Sequence, residues 1–420
     1  MSAQINPGDT SFLMFCSALV FLMTPALALF YGGMVRRKNV LNTMMSTFIL
    51  CGVASVLWVF IGYSLSFGND MGHILGGVNH LFFSGVGMEP SKYAGSIPSL
   101  LFATFQMMFA IIAPALIAGA LVERMKFSAV VLFMILWSFI VYYPLAHMIW
   151  GEGGFLKNLG VIDFAGGYVI HVSSGVSALV AAIMLGKRRE HGMASYHPHN
   201  IPMIFIGAGL LWFGWFGFNA GSAYNSGYQA IHAFIVTNTS GACGMLSWLI
   251  IEKVTRGKPT MLGAATGAVV GLATITQGSG FVPIWAAMII GTLASPICYF
   301  ALSVVKAKFG YDDSLDVFGC HGVGGIWGGI ATGIFSVTKV YGSSTGARWN
   351  GLIFGEFQLF GVQIAGLLVT VLLSVAGTAL IMLVLKAVMK IRVSTKEEAD
   401  GLDLAEHGES AYPSFTGMDS

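Results

Sequence analysis

Long apolar stretches recur along almost the whole chain, with short polar connections between them. A helix needs roughly 20 apolar residues to cross a bilayer, and eleven stretches come close to that length. They lie at about 11–31, 40–66, 97–120, 127–147, 163–185, 201–218, 228–251, 260–275, 282–304, 316–336 and 358–388. The pattern predicts an all-α polytopic membrane protein with eleven transmembrane helices.

Composition and charge support this prediction and give it an orientation. The chain is 55% hydrophobic and only 10% charged, which is typical of a polytopic membrane protein. Lys and Arg near span ends stay on the cytoplasmic side. Of the 21 basic residues, all but Lys92, Lys157, Lys339 and Arg348 follow odd-numbered spans. The N-terminus should therefore lie outside and the C-terminus inside, and the polar first ten residues, without a basic n-region, predict that the first span is retained.

The membrane domain, residues 1–388, contains two similar halves. The fifth span carries DFAGGYVIH at 163–171, and the tenth carries DVFGCHGVGG from Asp316, so an Asp and a following His recur in each block of five spans. Because five is odd, the second half would be inverted relative to the first, as in many transporters. We expect inverted halves at about 11–185 and 201–336, a final helix at 358–388 and a polar cytoplasmic tail at 389–420.

His171 and His321 are the notable polar residues of these spans. Ionisable groups inside a membrane are costly and mark ion or proton paths. A single His in an apolar span is more often a satisfied core residue, but two at matching places in inverted halves would approach the midplane from opposite sides. Since a neutral imidazole has one donor and one acceptor, two such rings can share a proton and line a pore.

Asp163 precedes the helix that it begins. This position suits an N-cap whose carboxylate accepts backbone N–H groups of the first turn. A second interpretation adds a buried negative charge close to a docking cation. The two interpretations are compatible, and spacing alone leaves both open.

Aromatic residues cluster near the predicted outer span ends. They are Phe105, Phe109, Trp150, Trp215, Phe216 and Phe218. Interfacial belts explain most such residues, but Phe109 lies well inside its span and Ser222 offers a hydroxyl beside the WFGF group. An indole, a phenyl ring and a hydroxyl would form a cage for a small cation.

No metal or cofactor is expected. The five cysteines fall within spans without a CxxC pair and are interpreted as packing residues. The YHPHN segment at 196–200 has two histidines without a third ligand, which favours loop structure over a metal site. The 55 glycines suit close helix packing, as in GVGGIWGGIATG at 322–333.

Six segments, in order and spacing, resemble signatures of the ammonium transporter family (Amt/MEP/Rh), prokaryotic Amt type. They are ALFYGGMVRRKN, GALVERMKF, DFAGGYVIH, WFGFNAGS, DDSLDVFGCHGVGGIWG and GLDLAEHGESAY. The resemblance covers essentially the whole chain. It implies a multi-pass protein of the cell (inner or plasma) membrane that is not an enzyme. It also implies a homotrimer with one pore per subunit, a tail that packs under the trimer, and a cytoplasmic face where a PII-type (GlnK-like) regulatory protein docks.

The resemblance also implies roles for individual residues. By motif, the outer recruitment site of the family matches Trp150, Phe109, Ser222 and Asp163. The pore gate matches Phe109 and Phe218, and the pore itself matches His171 and His321. The inner exit matches Phe30 and Tyr31. Tyr168 departs from the family pattern, where a smaller residue is more usual. We expect Tyr168 to point away from the pore and pack against a neighbour.

Burying an unpaired cation in hydrocarbon is prohibitively costly. The predicted route is therefore recruitment of ammonium, loss of a proton near Asp163 and the histidines, passage of ammonia and reprotonation inside, with net charge movement. Methylammonium is a further candidate substrate. Two alternatives stay open: an ammonium sensor of the same fold, and a membrane enzyme or electron carrier with histidine-ligated metal or haem, which the absence of ligand-spaced partners disfavours.

Overall fold

The structure, a computed structural model, describes residues 4–192 and 197–412. Nine helices within these residues are long and apolar enough to cross a membrane: Pro7–Met34, Arg37–Phe67, Ser99–Leu121, Phe127–Leu159, Gly167–Leu185, Ile201–Gly221, Tyr228–Arg256, Ile284–Phe309 and Gln358–Val388. Two more helices, Met261–Ile275 and the glycine-rich segment 318–335, lie where the eighth and tenth spans were predicted. The helix positions agree with the sequence, whereas the count of eleven spans and the orientation of the termini remain predictions.

Capping side chains set the starts of several helices. Asn6 accepts the N–H of Gly8 at 2.8 Å and Pro7 occupies the first helical position, so Pro7–Met34 starts before the apolar stretch does. Thr260 accepts the N–H of Gly263 at 2.9 Å at the start of Met261–Ile275. These contacts satisfy N–H groups that a first helical turn leaves without partners.

Two helices carry the predicted pore histidines: Gly167–Leu185 is called here the His171 helix, and 318–335 the His321 helix. Both begin with a π-helical turn that contains the histidine, at Gly167–Val172 and Phe318–Val323. The helices cross at Gly175, where a Cβ atom would lie 2.1 Å from the backbone nitrogen of Gly322. The prediction of close packing along the GVGG segment is confirmed.

Three two-stranded antiparallel sheets occupy the connections that were predicted to lie outside. Asp70–Met71 pairs with Leu75–Gly76, Pro90–Ser91 with Ala94–Pro98, and Lys339–Val340 with Ser343–Ser344. The connections are 68–98 and 336–357, and the apolar pattern gave no indication of these hairpins.

The described part of the tail packs against connections of its own chain. The N–H of Leu402 donates to Asn39 Oδ1 at 2.9 Å, and the N–H of Phe127 donates to Glu406 Oε2 at 3.0 Å. Composition alone predicted a solvated segment, because nothing in a polar, mixed-charge sequence specifies which backbone groups its side chains will meet.

A buried ionic cluster lies beside the tail. Arg188 forms ion pairs with Glu123 and, at 2.8 Å, with Asp312. Arg124 is fully buried, and its guanidinium donates to the carbonyl of Gly186 at 2.8 Å. These contacts join three connections that lie far apart in sequence. Ion pairs and hydrogen bonds therefore hold the connections of the predicted cytoplasmic face together.

Candidate functional site

A pocket of about 350 Å³ opens at the predicted outer side. Its wall includes Tyr93, Trp150, Lys157, Asp163 and Tyr224. The indole Nε1 of Trp150 donates to the carbonyl oxygen of Asp163 at 2.8 Å. This bond fixes the ring at the pocket, so the structure brings together two residues that the sequence assigned to one site.

Two phenyl rings lie below the pocket. The ring centroids of Phe109 and Phe218 are 4.4 Å apart with an interplanar angle of 33°, and both side chains are buried. Trp150 meets Phe109 edge-on at 6.2 Å, and Phe218 lies 6.1 Å from the His171 ring. The pair therefore lies between the outer pocket and the histidines, and its role as a gate remains a prediction.

Ser222 lies four residues after Phe218. Its hydroxyl donates to the carbonyl oxygen of Phe218 at 2.9 Å, and its role in recruitment remains a prediction. Tyr224 lies in the wall of the outer pocket and accepts a hydrogen bond from Gln106 at 2.8 Å. The sequence motifs did not point to Tyr224, although it lies only two residues after the WFGFNAGS segment. They did not point to Tyr93 either, because a hairpin brings it to the pocket without any sequence signal.

Asp163 accepts four backbone hydrogen bonds. Its Oδ1 takes the N–H groups of Gly166 and Gly167 at 2.8 and 2.7 Å, and its Oδ2 takes those of Tyr168 and Val169 at 2.9 and 3.1 Å. It does not occupy the N-cap position. That position is held by Gly166, whose φ of 107° suits glycine. The prediction of an N-cap at Asp163 was wrong in position but right about the bonds.

Those four bonds limit how Asp163 can act. A carboxylate has about four lone-pair sites, and all four are directed at backbone N–H groups. A cation in the pocket would therefore be attracted by the negative charge of Asp163 and by its backbone carbonyl oxygen. It would not form a strong direct bond to the carboxylate. The hydrogen bonds also fix the turn that leads into His171.

Asp313 holds the position before His321 that Asp163 holds before His171. Asp313 is buried, precedes His321 by the same eight residues, and its Oδ2 accepts the N–H of Phe318 at 2.7 Å. Asp316, which the sequence analysis paired with Asp163, instead forms an ion pair with Lys306 and adopts a left-handed φ of 61°. The pairing of Asp316 with Asp163 was wrong.

His171 and His321 meet edge to edge. Their Nδ1 atoms are 3.2 Å apart, the ring centroids are 5.1 Å apart and the planes differ by 14°. Between two neutral rings, one Nδ1 must carry the hydrogen and the other must accept it. The two imidazoles thus have opposite tautomers, as sharing one proton requires.

The space around the histidine pair is narrow and apolar. The wall includes Leu27, Ile112, Leu211, Trp215 and Phe218. The volume within which the centre of a water-sized molecule can move is about 10 Å³. That is about the space one water molecule needs. Nε2 of His171 is buried without a hydrogen-bond partner. The pair therefore offers a polar atom to a single small molecule in an otherwise apolar passage.

A second cavity, of about 70 Å³, lies on the other side of His321. Phe30, Tyr31 and Cys320 belong to its wall, and the Tyr31 hydroxyl donates to the carbonyl of Leu116 at 3.0 Å. Phe30 and Tyr31 thus lie where the sequence placed the inner exit.

Tyr168 points away from the histidines. Its hydroxyl donates to the carbonyl of Gln363 at 2.8 Å, and its ring packs against Gly329 and Gly366. Our expectation that Tyr168 packs against a neighbouring helix is confirmed. The larger side chain fits because the facing residues are glycines.

His199 and two of the cysteines make ordinary protein contacts. His199 bonds to the carbonyl of Val35 and to the hydroxyl of Tyr412. Cys16 and Cys298 are buried among apolar side chains, as expected for packing residues. Within 4–192 and 197–412, no three His, Cys, Asp or Glu residues are grouped to hold a metal ion.

Known proteins similar to this chain share its length and its fold. The sequence model of the Ammonium Transporter Family matches residues 11–412. An ammonium transporter of Bacillus subtilis (strain 168) is 49% identical over 407 residues, which are 96% of this chain and 98% of the relative. Ammonium transporter Amt1 of Archaeoglobus fulgidus is 43% identical over 409 residues, 97% of this chain and 100% of that protein.

Solved structures agree with the sequence relatives. The crystal structure of Saccharomyces cerevisiae Mep2 has a TM-score of 0.86 and 35% identity, and the match covers 93% of this chain and 91% of Mep2. A structure described as a sensor Amt protein has a TM-score of 0.86 and 28% identity, with 95% and 98% covered. The sequence match over nearly the whole chain places this multi-pass membrane protein in the ammonium transporter family.

Proposed function

We propose that this protein carries ammonium across the cell membrane as ammonia plus a separately moving proton. Ammonium is recruited at the outer pocket beside Trp150 and loses a proton near Asp163. Ammonia then passes Phe109 and Phe218, follows His171 and His321, and leaves past Phe30 and Tyr31. The observation that carries this proposal is the edge-to-edge histidine pair in a passage with room for one small molecule.

Energetics favours ammonia over ammonium in this passage. A cation without a counter-ion in an apolar space pays a large desolvation cost. Ammonia is neutral, close to water in size, and can donate and accept hydrogen bonds. The unpartnered Nε2 of His171 is a partner that ammonia can use and that an alkali cation, which needs several oxygen ligands, uses poorly.

The opposite tautomers of the histidine pair support net charge movement. A proton that arrives at the Nε2 of the ring donating through Nδ1 makes that ring an imidazolium. The Nδ1 proton can then cross the 3.2 Å gap to the second ring, which releases its own Nε2 proton on the far side. One proton thus moves along the pair while ammonia moves beside it.

We also propose homotrimeric assembly, one pore per subunit, and docking of a PII-type regulatory protein on the cytoplasmic face. These proposals rest on family membership and on the motifs that led to it. The mass of the detergent-solubilised protein, measured by light scattering with the detergent mass subtracted, tests the trimer. A mass of one subunit would contradict it.

A sensor is the second candidate function, because a protein described as a sensor Amt is similar over nearly the whole chain. Purified protein in liposomes on a solid-supported membrane, given an ammonium jump, separates the two. We expect a saturating current that persists in proton-tight vesicles and is absent after a sodium jump. A brief binding transient without sustained ammonia uptake would identify a sensor instead.

A further inference from the structure

Lys157 is an exposed residue whose primary ammonium group lies at the wall of the outer pocket. Its Nζ donates to the backbone carbonyl oxygen of Trp150 at 2.9 Å and lies 5.4 Å from the ring centroid of Tyr93. All three residues belong to the wall of the same cavity, together with Asp163. The side chain of this short helix, Phe155–Leu159, thus brings a positive charge to a pocket that would receive a positive substrate.

The contacts of Lys157 resemble those of a bound substrate more than those of an ion pair. Among the described residues, no carboxylate oxygen lies within 4.0 Å of its Nζ. The nearby Glu152 is paired with Lys92 at 2.9 Å. The charge of Lys157 is therefore stabilised by a carbonyl dipole and an aromatic face, which are also the groups that attract small ammonium ions.

We propose that the Trp150 carbonyl and the Tyr93 ring form an ammonium subsite of the outer pocket, and that Lys157 is its tethered occupant. Ammonium or methylammonium must displace the Lys157 head group before it reaches Trp150 and the phenyl gate. Because the lysine stem has four flexible carbons, the head group can leave without any change in the backbone. Lys157 then determines the concentration at which the pocket fills. This inference rests on the proposed function.

A purely structural role for Lys157 predicts the opposite sign. Trp150 is the last residue of its helix, and a cation at a helix C-terminus stabilises the final carbonyl groups. If that were its whole contribution, removing the charge would loosen Trp150 and weaken substrate binding. If Lys157 competes with substrate, removing it strengthens binding.

The test compares two full-length variants in liposomes. Lys157→Met keeps the length of the side chain and vacates the subsite. Arg348→Met removes a positive charge from the same cavity wall, where Arg348 bonds to the carbonyl of Asn158, but it vacates no position at Trp150. We expect the ammonium concentration for half-maximal current to fall about threefold or more in Lys157→Met and less in Arg348→Met. An unchanged or higher value in Lys157→Met, or equal falls in both variants, would overturn the proposal.

A binding measurement keeps this inference separate from transport. The thermal unfolding midpoint of each protein in detergent is recorded in methylammonium chloride and in sodium chloride of equal ionic strength, with Lys157→Gln as a second variant. We expect a given methylammonium concentration to raise the midpoint more in both Lys157 variants than in the wild type. Equal increases would contradict the subsite. If the wild type carries no current, the transport proposal fails while this comparison still decides the role of Lys157.

Discussion

The Nδ1 atoms of His171 and His321 lie 3.2 Å apart although 150 positions separate the two residues in the chain. At that distance one Nδ1 must donate to the other, so the tautomer of one ring fixes the tautomer of the other. Each ring is held at the start of its helix by a π-helical turn. Each histidine of the pair therefore lies in the same kind of local backbone structure.

Asp163→Asn should fold but lose transport. Asparagine keeps one acceptor oxygen and turns an NH₂ group toward two backbone N–H groups that now donate to Asp163, so two charge-assisted hydrogen bonds disappear. At about 1.5–3 kcal/mol each, we expect the unfolding midpoint to fall and the ammonium current to drop at least about tenfold. Size-exclusion profile, midpoint and current are measured on one preparation. A folded variant with wild-type current would show that the negative charge is dispensable.

Phe218→Ala should lower selectivity as well as stability. Removal of a buried ring costs about 3 kcal/mol or more, and here it also opens the 4.4 Å contact with Phe109. Phe105→Ala is the matched control, because Phe105 is equally buried and its ring centroid lies 4.9 Å from that of Phe109. We expect both variants to lose stability, but only Phe218→Ala to pass methylammonium faster relative to ammonium. The ratio of the two currents measures this, and the same ratio in both variants would argue against a gate.

Carboxylates of the buried ionic cluster around Arg188 make stability depend on pH. Burial alone would raise the pKa of Glu123, but the charges of Arg188 and Arg36 outweigh burial and lower that pKa. Burial would likewise raise the pKa of Asp312, but the hydrogen bond from Arg188 and the charge of Arg124 hold it well below its usual value. Groups with lowered pKa values stabilise the folded state above their unfolded pKa, near 4, and lose that contribution as the pH falls further.

Arg188→Met tests this cluster. Two buried carboxylates lose their main partner, which costs about 3–5 kcal/mol at pH 7, and their pKa values rise in the folded protein. Protonation of the two carboxylates then removes unpaired buried charge from the variant and stabilises its fold. In the wild type the same protonation breaks the ion pairs and destabilises the fold. The gap between the unfolding midpoints of the two proteins should therefore be largest near pH 7 and narrow below about pH 5. A gap of constant size from pH 7 to pH 4 would contradict the assigned charges.

Topology can be read from cysteine labelling in a background without native cysteines. The basic residues place the tail inside, so a cysteine at Ser410 should react with a membrane-impermeant maleimide only after the membrane is opened. A cysteine at Ser343, in the hairpin predicted to lie outside, should react in intact cells. The reverse pattern would overturn the orientation, and with it the assignment of outer and inner sites.

Span positions could be predicted because they depend on local composition. The last helix begins and ends where the apolar stretch does, at 358 and 388. The first helix begins earlier than its apolar stretch, because a cap at Asn6 and a proline at position 7 determine its start. Hydropathy also gave no sign of the π-helical turns, which depend on hydrogen-bond register.

Site residues that belong to sequence motifs could be predicted. Site residues that only tertiary contacts bring to the pocket were missed. His171, His321, Phe109 and Phe218 lie together as expected. Asp313 could have been found, because it precedes His321 by the spacing that separates Asp163 from His171. The position of Tyr93 could not be predicted, because a hairpin that is far in sequence from the other pocket residues brings it to the outer pocket.

The ammonium-jump current of the double variant His171→Leu, His321→Leu tests the central claim most directly. His232→Leu is the control, because His232 is equally buried but bonds to the carbonyl of Val282, away from the pair. With trimer content and ammonia flux measured on the same liposomes, we expect the double variant to lose its current even where ammonia still leaks through, and the control to keep it. Wild-type current and cation selectivity in the double variant would contradict a proton path through the two histidines.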